Sequence, residues 1–137
     1  MTLEEIRAFL LHEFPQVFKT QTLSVEAAQG GAARLRLTPD DAHLRPGNVV
    51  SGPTLMMLAD AGAYAALLSL GPEAKMAVTA NLNISFLRAA APGAAIIQTA
   101  NVIKSGRRLS VIVAEAMGPD GRVLAHTTMS YAMPTAG

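Results

Sequence analysis

The sequence contains no cysteine, and this absence excludes several kinds of chemistry at once. Disulfide bonds, thiol nucleophiles and cysteine-ligated metals all require that side chain. The three histidines are scattered and show no spacing typical of a metal site, so we expect no metal. The N-terminal segment MTLEEIRAFLLHEF carries several glutamates and no uninterrupted apolar core, so it is not a signal peptide. We therefore expect a cytoplasmic protein.

Charged and aromatic residues are also scarce. Only 15% of the residues are charged and the net charge is +1, so the chain has no overall field to attract nucleic acid or an anionic membrane. Aromatic residues make up 4% and do not alternate with basic ones, so a nucleic-acid-binding platform is not indicated. The longest apolar segment is interrupted by Asp60 and is shorter than the ~20 residues of a membrane-spanning helix. We expect neither nucleic acid nor a membrane as a partner.

Apolar residues, by contrast, are abundant. They make up 50% of the 137 residues, and the mean hydropathy is +0.31. This length fits one domain over residues 1–137 with a single core. One core of that size cannot cover so much apolar surface, and we therefore expect a homo-oligomer.

The N-terminal part of the sequence predicts a helix followed by a hairpin. Thr2 and Glu5 have the spacing of a capping box, and Pro15 ends the apolar pattern, which predicts a helix over residues 1–15. Gly30 and Gly31 lie between two apolar segments and predict the turn of a β-hairpin.

The segment GNVVSGPTLMMLADAGAYAALLSLG, residues 47–71, predicts a long apolar helix over residues 52–70. Ser51 is a favourable N-cap and Pro53 suits the first turn. A helix that is apolar on nearly all sides must be enclosed by other elements rather than laid on a surface.

The C-terminal half predicts four strands. The first is a half-buried strand, with one set of residues on each face: Val78, Ala80, Leu82, Ile84 and Phe86 against Thr79, Asn81, Asn83 and Ser85. Turns at 105–107 and 118–121 separate the last three strands. The order of elements predicts an α+β fold in which a curved antiparallel sheet wraps around the central helix.

Asp60 is the one charged residue in the central helix. Burial of a charge is unfavourable and aspartate is a poor helix former, so packing does not explain it. A carboxylate in such a place is a candidate base or nucleophile. The alternative is that Asp60 pairs with an arginine or faces solvent at the margin of the helix.

The start of the helix is a second candidate element. Helix N-termini present free N–H groups and a partial positive charge that can hold an anion or a developing oxyanion, although ordinary capping also explains the sequence. Asp60 follows Ser51 by nine residues, or about 13 Å along the helix. A site that used both would need two subunits.

Four segments, in order, are similar to the hotdog-fold acyl-CoA thioesterases, particularly the PaaI-like branch. They cover about residues 42–133 and read GNVVSGPTLMMLAD, AVTANLNISFLRAA, KSGRRLSV and GRVLAHTTMSYAMP. The resemblance implies a sheet wrapped around the helix, dimers joined edge to edge, and often a tetramer made of two dimers. It also implies an active site at the dimer interface.

The same resemblance implies roles for individual residues. Asp60 takes the place of the acidic residue that acts as general base or nucleophile, Gly52 that of the backbone N–H donor to the thioester carbonyl, and Thr79 that of an assisting hydroxyl. The family commonly has His-Gly-Gly at the helix start, and here Ser51 replaces the histidine as a catalytic candidate. In the preceding loop the family often has an asparagine that orients water. Arg45 or Asn48 takes that place here, and both are candidate substrate-binding residues.

Coenzyme A carries several phosphates, which basic side chains bind through charge-assisted hydrogen bonds. The candidates around the Gly106 turn and elsewhere are Lys104, Arg107, Arg108, Arg88 and Arg45; solvated charges at strand ends are the alternative. His126 lies in an alternating strand and is interpreted as packed or exposed rather than catalytic. His43 lies in the loop before the helix, from which it could approach the site, but it is not a favoured candidate.

The predicted function is hydrolysis of a small or medium acyl- or aryl-CoA thioester, without a cofactor, since coenzyme A belongs to the substrate. A non-catalytic binder of acyl-CoA or of a small apolar ligand is the alternative, favoured by the missing imidazole and opposed by Asp60. A hydratase is a third hypothesis, but such enzymes typically pair the carboxylate with a nearby histidine that this helix lacks. We expect pocket residues among Met56, Met57, Leu58 and Tyr64.

Overall fold

A computed structural model of the chain describes residues 1–134. It begins with helix α1, Leu3–Glu13, and the single-turn helix α2, Pro15–Phe18. Thr2 caps the helix, because its Oγ1 accepts a hydrogen bond from the N–H of Glu5. Only this half of the predicted capping box forms, since the Glu5 carboxylate accepts from the Thr2 hydroxyl and not from the Thr2 N–H. The helix ends two residues before the predicted boundary, since the residue before a proline is disfavoured in helical conformation and Phe14 has φ −131°.

Strands β1, Leu23–Gln29, and β2, Ala32–Leu37, form the predicted hairpin. Gly30 and Gly31 both have positive φ, +60° and +85°, which a two-residue turn of this kind requires. Alternate residues of β2 are buried, as the pattern predicted: Ala33, Leu35 and Leu37.

The segment DDAHLRPGN, residues 40–48, is expected from the sequence to be a loop. In the structure this segment and the two residues after it form short ordered elements. A 3₁₀ turn, Asp41–His43, precedes a ribbon of strands β3, Leu44–Arg45, and β4, Val49–Val50. The chain reverses at Gly47 and Asn48, which have φ +97° and +59°. This ribbon leads directly into the long central helix, since β4 ends at Val50 and the helix begins at Gly52.

The central helix, α3, spans Gly52–Leu68 and is buried along most of its length. Ser51 caps it by accepting a hydrogen bond from the N–H of Thr54 at 3.2 Å. The helix ends two residues before the predicted boundary at residue 70. Ser69 marks that end, where its hydroxyl donates to the carbonyl of Ala66 and accepts from the N–H of Gly31.

The remaining strands are β5, Val78–Phe86; β6, Ile96–Ser105; β7, Leu109–Met117; and β8, Val123–Ala132. They join the first hairpin in one antiparallel sheet of order β1-β2-β6-β7-β8-β5. All six strands contact α3, so the sheet curves around the helix. The predicted α+β hotdog architecture is confirmed. Within residues 1–134, no helix has both the length and the apolar character needed to cross a membrane.

The faces predicted for β5 are wrong at its N-terminal end. A bulge between Thr79 and Asn81 absorbs one residue, so Thr79 lies opposite Tyr131 and Leu82 lies opposite Met129. Both partners are buried on the helix side, and residues directly opposite each other share a face. Thr79 therefore shares the helix side with Leu82.

Strand β5 is also less buried than predicted, because it is an edge strand in the single chain. Val78 is 61% exposed and Phe86 is 51% exposed, at the two ends of the strand.

Candidate active site

The carboxylate of Asp60 is held by two hydroxyl groups from two different strands. Thr79 Oγ1 on β5 donates to Asp60 Oδ1 at 2.7 Å. The phenol of Tyr131 on β8 donates to the same Oδ1 and also lies 3.0 Å from the main-chain carbonyl oxygen of Asp60. The partners of Asp60 are therefore neutral hydroxyls, and not the arginine considered as an alternative from the sequence.

Tyr131 is buried, with 3% of its surface exposed. Burial, reinforced by the negative charge of Asp60, raises the pKa of Tyr131 well above the ordinary tyrosine value. The phenol therefore stays protonated and acts as a donor. Its ring stacks on that of Tyr64, with centroids 6.5 Å apart and planes inclined by 10°.

Asp60 lies on the wall of a largely apolar pocket of about 380 Å³. Helix α3 and strand β5 supply part of the wall, and the end of α1 and helix α2 close one side. The lining residues are Phe14, Val17, Met57, Asp60, Ala61, Tyr64, Ala77, Val78, Thr79 and Tyr131. Of the predicted pocket residues, Met57 and Tyr64 line it, whereas Leu58 is in the core and Met56 is exposed on the surface.

Gly52, the first residue of α3, is the second candidate functional residue and presents a free N–H group. In this first turn, Pro53 has no N–H, Thr54 N–H donates to Ser51 Oγ, and Leu55 N–H donates to the Ser51 carbonyl. Within the described part of the chain, the Gly52 N–H has no acceptor. The capping of this turn thus leaves one backbone donor for an anion or oxyanion.

The surroundings of Gly52 form a second pocket, of about 400 Å³, which shares no lining residue with the Asp60 pocket. The ring of Phe86 packs so closely that a Cβ on Gly52 would lie 3.3 Å from Phe86 Cζ. A single chain therefore does not bring Gly52 and Asp60 to one reacting centre, as the helix length indicated.

The predicted coenzyme A contacts fall into two groups. Arg45 and Arg88 line the Gly52 pocket, and each also donates to a main-chain carbonyl, of Pro46 and Val123 respectively. Asn48 is exposed in the β3–β4 turn near the first of them.

The other group lies at the far end of the sheet. Lys104, Arg107 and Arg108 are exposed around the β6–β7 turn. Leu109 at the start of β7 pairs with Ala132 of β8, which pairs with Val78 of β5, so this turn lies at the Asp60 end. One chain does not gather all these residues in a single place.

The histidines take part in local structure. His43 Nδ1 accepts from the N–H of Asp40 at 2.9 Å and completes a capping box, and its carbonyl accepts from the N–H of Ser51. His126 lies 3.1 Å from Glu115 on the neighbouring strand. Residues 1–134 contain no group of three or more His, Cys, Asp or Glu side chains arranged to hold a metal ion.

Comparison with known protein families identifies the fold. The sequence profile of the thioesterase superfamily matches residues 47–125, which include both helix α3 and the Asp60–Thr79 pair. The chain belongs to the thioesterase superfamily. It is thus a member of a family of thioester hydrolases, which confirms the prediction from the sequence.

Solved thioesterase structures are similar over nearly the whole chain. A proposed thioesterase from Silicibacter sp. TM1040 is 34% identical, with 98% of this chain and 92% of that one covered and a TM-score of 0.86. Zebrafish thioesterase superfamily member 2 is 21% identical, with coverages of 98% and 99% and a TM-score of 0.87. A hypothetical thioesterase from Streptococcus pneumoniae is 16% identical, with both coverages 98% and a TM-score of 0.82. A comparison with curated proteins gave no significant match.

Tyr131 is the site residue of this thioesterase that sequence reasoning missed. Its signal was weak: it alternates with Thr127 and Met129 on the buried face of β8, and a buried tyrosine usually needs a partner for its hydroxyl. Nothing in the local sequence indicates that this partner is Asp60.

Proposed function

We propose that this thioesterase hydrolyses small or medium acyl- or aryl-CoA thioesters and belongs to the PaaI-like branch. The observation that carries the proposal is the position of Asp60. It is a mid-helix carboxylate without a cationic partner among the residues around it, hydrogen-bonded by Thr79 on the wall of an apolar pocket.

Coenzyme A as part of the substrate is supported by two structural neighbours. The Streptococcus pneumoniae protein was crystallised with coenzyme A, and a protein from Streptococcus mutans was crystallised bound to acetyl-CoA. Variants of the Streptococcus pneumoniae protein replace an aspartate or a threonine with alanine. The same two residue types meet here at Asp60 and Thr79.

The acyl group is expected to enter the Asp60 pocket. A volume of about 380 Å³ is near the lower limit of the ~300–1,000 Å³ typical of small-molecule sites. Its wall includes the rings of Phe14 and Tyr64 and the adaptable side chain of Met57. These features favour short, medium or aromatic acyl groups over long chains.

A homodimer would complete the site. Strand β5 has an unpaired edge and exposed apolar side chains at both ends, which suits pairing with a second copy. One end carries Thr79 beside Asp60, and the other carries Phe86 against Gly52. The strand is about 26 Å long, so antiparallel pairing about a two-fold axis places the Asp60 end of one subunit beside the Gly52 end of its partner.

The same pairing would unite the two groups of basic residues. Lys104, Arg107 and Arg108 lie at the Asp60 end, while Arg45 and Arg88 lie at the Gly52 end. Across the dimer they would flank one entrance and meet the phosphates of coenzyme A. Two such dimers would form the predicted tetramer.

In the proposed reaction, Asp60 accepts a proton from water as the water oxygen attacks the thioester carbonyl carbon. The carbonyl oxygen becomes an oxyanion that accepts a hydrogen bond from the N–H of the partner subunit's Gly52. The carbon–sulfur bond then breaks, its electron pair leaves on sulfur, and the sulfur takes up the proton from Asp60. The products are the free acid and the thiol of coenzyme A. Direct attack by the carboxylate is the alternative role of Asp60.

Ser51 contributes indirectly in this proposal. Its hydroxyl accepts from the N–H of Thr54 and contacts Thr54 Oγ1 at 2.8 Å, so it shapes the turn that leaves the Gly52 N–H free.

The test is thiol release from a panel of short, medium, long and aryl acyl-CoAs. We expect turnover of short, medium or aryl substrates, weak turnover of palmitoyl-CoA, and a loss of about 10³-fold or more in kcat for Asp60→Asn. Near wild-type turnover by Asp60→Asn would contradict the mechanism. Tight binding across the panel without thiol release would instead identify a non-catalytic acyl-CoA binder.

A further inference from the structure

We propose that Tyr131 is a positioning residue, which together with Thr79 holds Asp60 Oδ1 so that Oδ2 is the oxygen that reacts with water. The inference rests on the proposed function and deepens it. It assigns different roles to the two oxygens of one carboxylate.

The contacts distinguish these oxygens. Both hydroxyl donors, Thr79 Oγ1 and the Tyr131 phenol, are directed at Oδ1. Among the described residues, Oδ2 of Asp60 has no hydrogen-bond donor. A free carboxylate exchanges its oxygens by rotation about χ2, but two donors fixed on different strands oppose that rotation. The unpaired oxygen is then the one left to accept a proton or to attack.

Tyr131 is held rigidly enough to perform this task. Its ring stacks on Tyr64, whose own ring packs against Phe9 of α1 with centroids 6.3 Å apart. The Tyr64 hydroxyl donates to the carbonyl of Lys75 at 2.5 Å, which fixes the second ring. The chain has four Phe and two Tyr. Four of these six rings belong to this group: Phe9, Phe14, Tyr64 and Tyr131. An aromatic-poor sequence thus concentrates its rings around one carboxylate.

The need of the buried Tyr131 hydroxyl for a hydrogen-bond partner does not by itself explain its contact with the Asp60 carboxylate. The Tyr131 phenol already has a neutral acceptor in the main-chain carbonyl of Asp60. The helix side of the sheet also tolerates hydroxyls without partners in the described chain, since Ser110 Oγ and Thr127 Oγ1 are both buried and unbonded. The second contact, to Oδ1, is therefore the one with a consequence for chemistry.

The phenol acts as a donor throughout, because burial and the charge of Asp60 raise the pKa of Tyr131. The other titratable groups that bear on this cluster are Tyr64, stacked on Tyr131, and Glu13, whose charge contributes to the raised pKa of Tyr64. Neither donates a hydrogen bond to Asp60.

The experiment compares Tyr131→Phe with Thr127→Val in the full-length protein. Each variant removes one buried hydroxyl from the same face of β8, but only the first removes a donor to Asp60. We expect Tyr131→Phe to lower kcat by about 10- to 100-fold with KM changed less than about threefold. Thr127→Val should retain wild-type kcat and KM.

The controls separate this proposal from the proposed function. If Asp60→Asn is inactive but Tyr131→Phe keeps kcat within about twofold of wild type, the positioning role is wrong and the hydrolytic function stands. If Asp60→Asn remains active, the proposed chemistry itself fails. An equal loss of kcat in Thr127→Val would assign the effect to packing and overturn the proposal.

A second measurement decides the matter if Tyr131→Phe does not fold. Protein labelled with ¹³C at the ζ carbon of tyrosine gives two signals, because the chain has two tyrosines. The Tyr131 signal should shift in Asp60→Asn, and the Tyr64 signal should move much less. An unchanged Tyr131 signal would contradict the proposed contact.

Discussion

Thr79 Oγ1 lies 2.7 Å from Asp60 Oδ1, and a one-residue bulge in β5 places it there. The bulge puts Thr79 on the helix side together with Leu82, three residues later, which a regular strand would put on opposite faces. Substitution of Thr79 therefore tests the contact directly.

Thr79→Val should lower kcat by about 10- to 100-fold, because the ionised carboxylate loses a donor at nearly unchanged shape. Thr79→Ser should restore most of the activity, since it returns the hydroxyl. Thr99→Val serves as a control, because the Thr99 hydroxyl bonds the carbonyl of Glu115 away from the site. Steady-state kinetics on one responsive acyl-CoA measure all three, and equal kcat for Val and Ser at position 79 would refute the role of the hydroxyl.

The oxyanion role of Gly52 is tested by comparing Gly52→Pro with Gly52→Ala. Both variants add a Cβ that meets Phe86 at about the same place, but only proline removes the N–H. Proline is acceptable at the first position of a helix. Both variants place a residue with a Cβ before Pro53, which disfavours helical conformation at position 52, so this cost is shared and the alanine variant controls for it. We expect kcat for the proline variant to be about 10²- to 10³-fold below that of the alanine variant. Equal kcat values would show that this N–H does not stabilise the transition state.

A site shared between subunits predicts complementation between inactive variants. Each proposed site uses Asp60 of one chain and Gly52 of its partner. In a mixed dimer of an Asp60→Asn chain and a Gly52→Pro chain, one site therefore has both wild-type residues and the other has both substituted residues. Each mixed dimer therefore keeps one of its two sites, which gives about one half of the wild-type activity per chain. The measurement is thiol release after the two chains are co-expressed and purified through separate tags. Absence of any recovery, with mixed dimers present, would place the complete site within one chain.

The buried phenol predicts a loss of stability at alkaline pH. The folded-state pKa of Tyr131 is raised, so its contribution is fully present below pH ~10, the ordinary tyrosine value, and is lost as pH rises through the folded pKa. The free energy of unfolding should therefore fall above pH ~10 by about 1.4 kcal/mol per pH unit for this group.

Tyr131→Phe should lack this part of the decline. Tyr64, whose pKa is also raised, titrates in both proteins and cancels in the comparison. Urea unfolding of wild type and variant at pH 9, 10 and 11 measures the difference. If the free energies of unfolding of wild type and Tyr131→Phe fell equally with pH, the decline would not come from the Tyr131 phenol.

Most of the fold was predictable because it follows from local patterns. The Gly30-Gly31 pair predicted the turn of the first hairpin, because glycine readily adopts the positive φ found there. Alternation of apolar and polar residues predicted the strands. The apolar character of the central helix on nearly all sides predicted that it is enclosed. The end of α1 followed from Pro15 to within two residues. The end of α3 was less certain, since the hydroxyl of Ser69 accepts from the N–H of Gly31, 38 residues earlier in the chain. The β3–β4 ribbon was missed because strands of two residues carry no periodic signal.

The candidate site was only partly predictable. Asp60 was identified because a charge inside an apolar helix is unfavourable without a purpose, and Gly52 because helix starts leave free donors. Thr79 was placed there by family resemblance, while alternation alone put it on the wrong face. The grouping of the basic residues depended on strand order, which brings the β6–β7 turn to the Asp60 end and leaves Arg45 and Arg88 at the other.

The sequence by itself determined that a carboxylate lies inside an enclosed helix and that the first turn of this helix is capped by Ser51. These features are local: they depend on residues within a few turns of one another. The tertiary structure decided which groups surround the carboxylate. Tyr131 is 71 residues from Asp60 in the chain, and only the pairing of β8 with β5 and the bulge beside Thr79 bring both hydroxyls to one oxygen. Long-range pairing and a shift of one residue in register have no signature in local periodicity, and they set the geometry of this site.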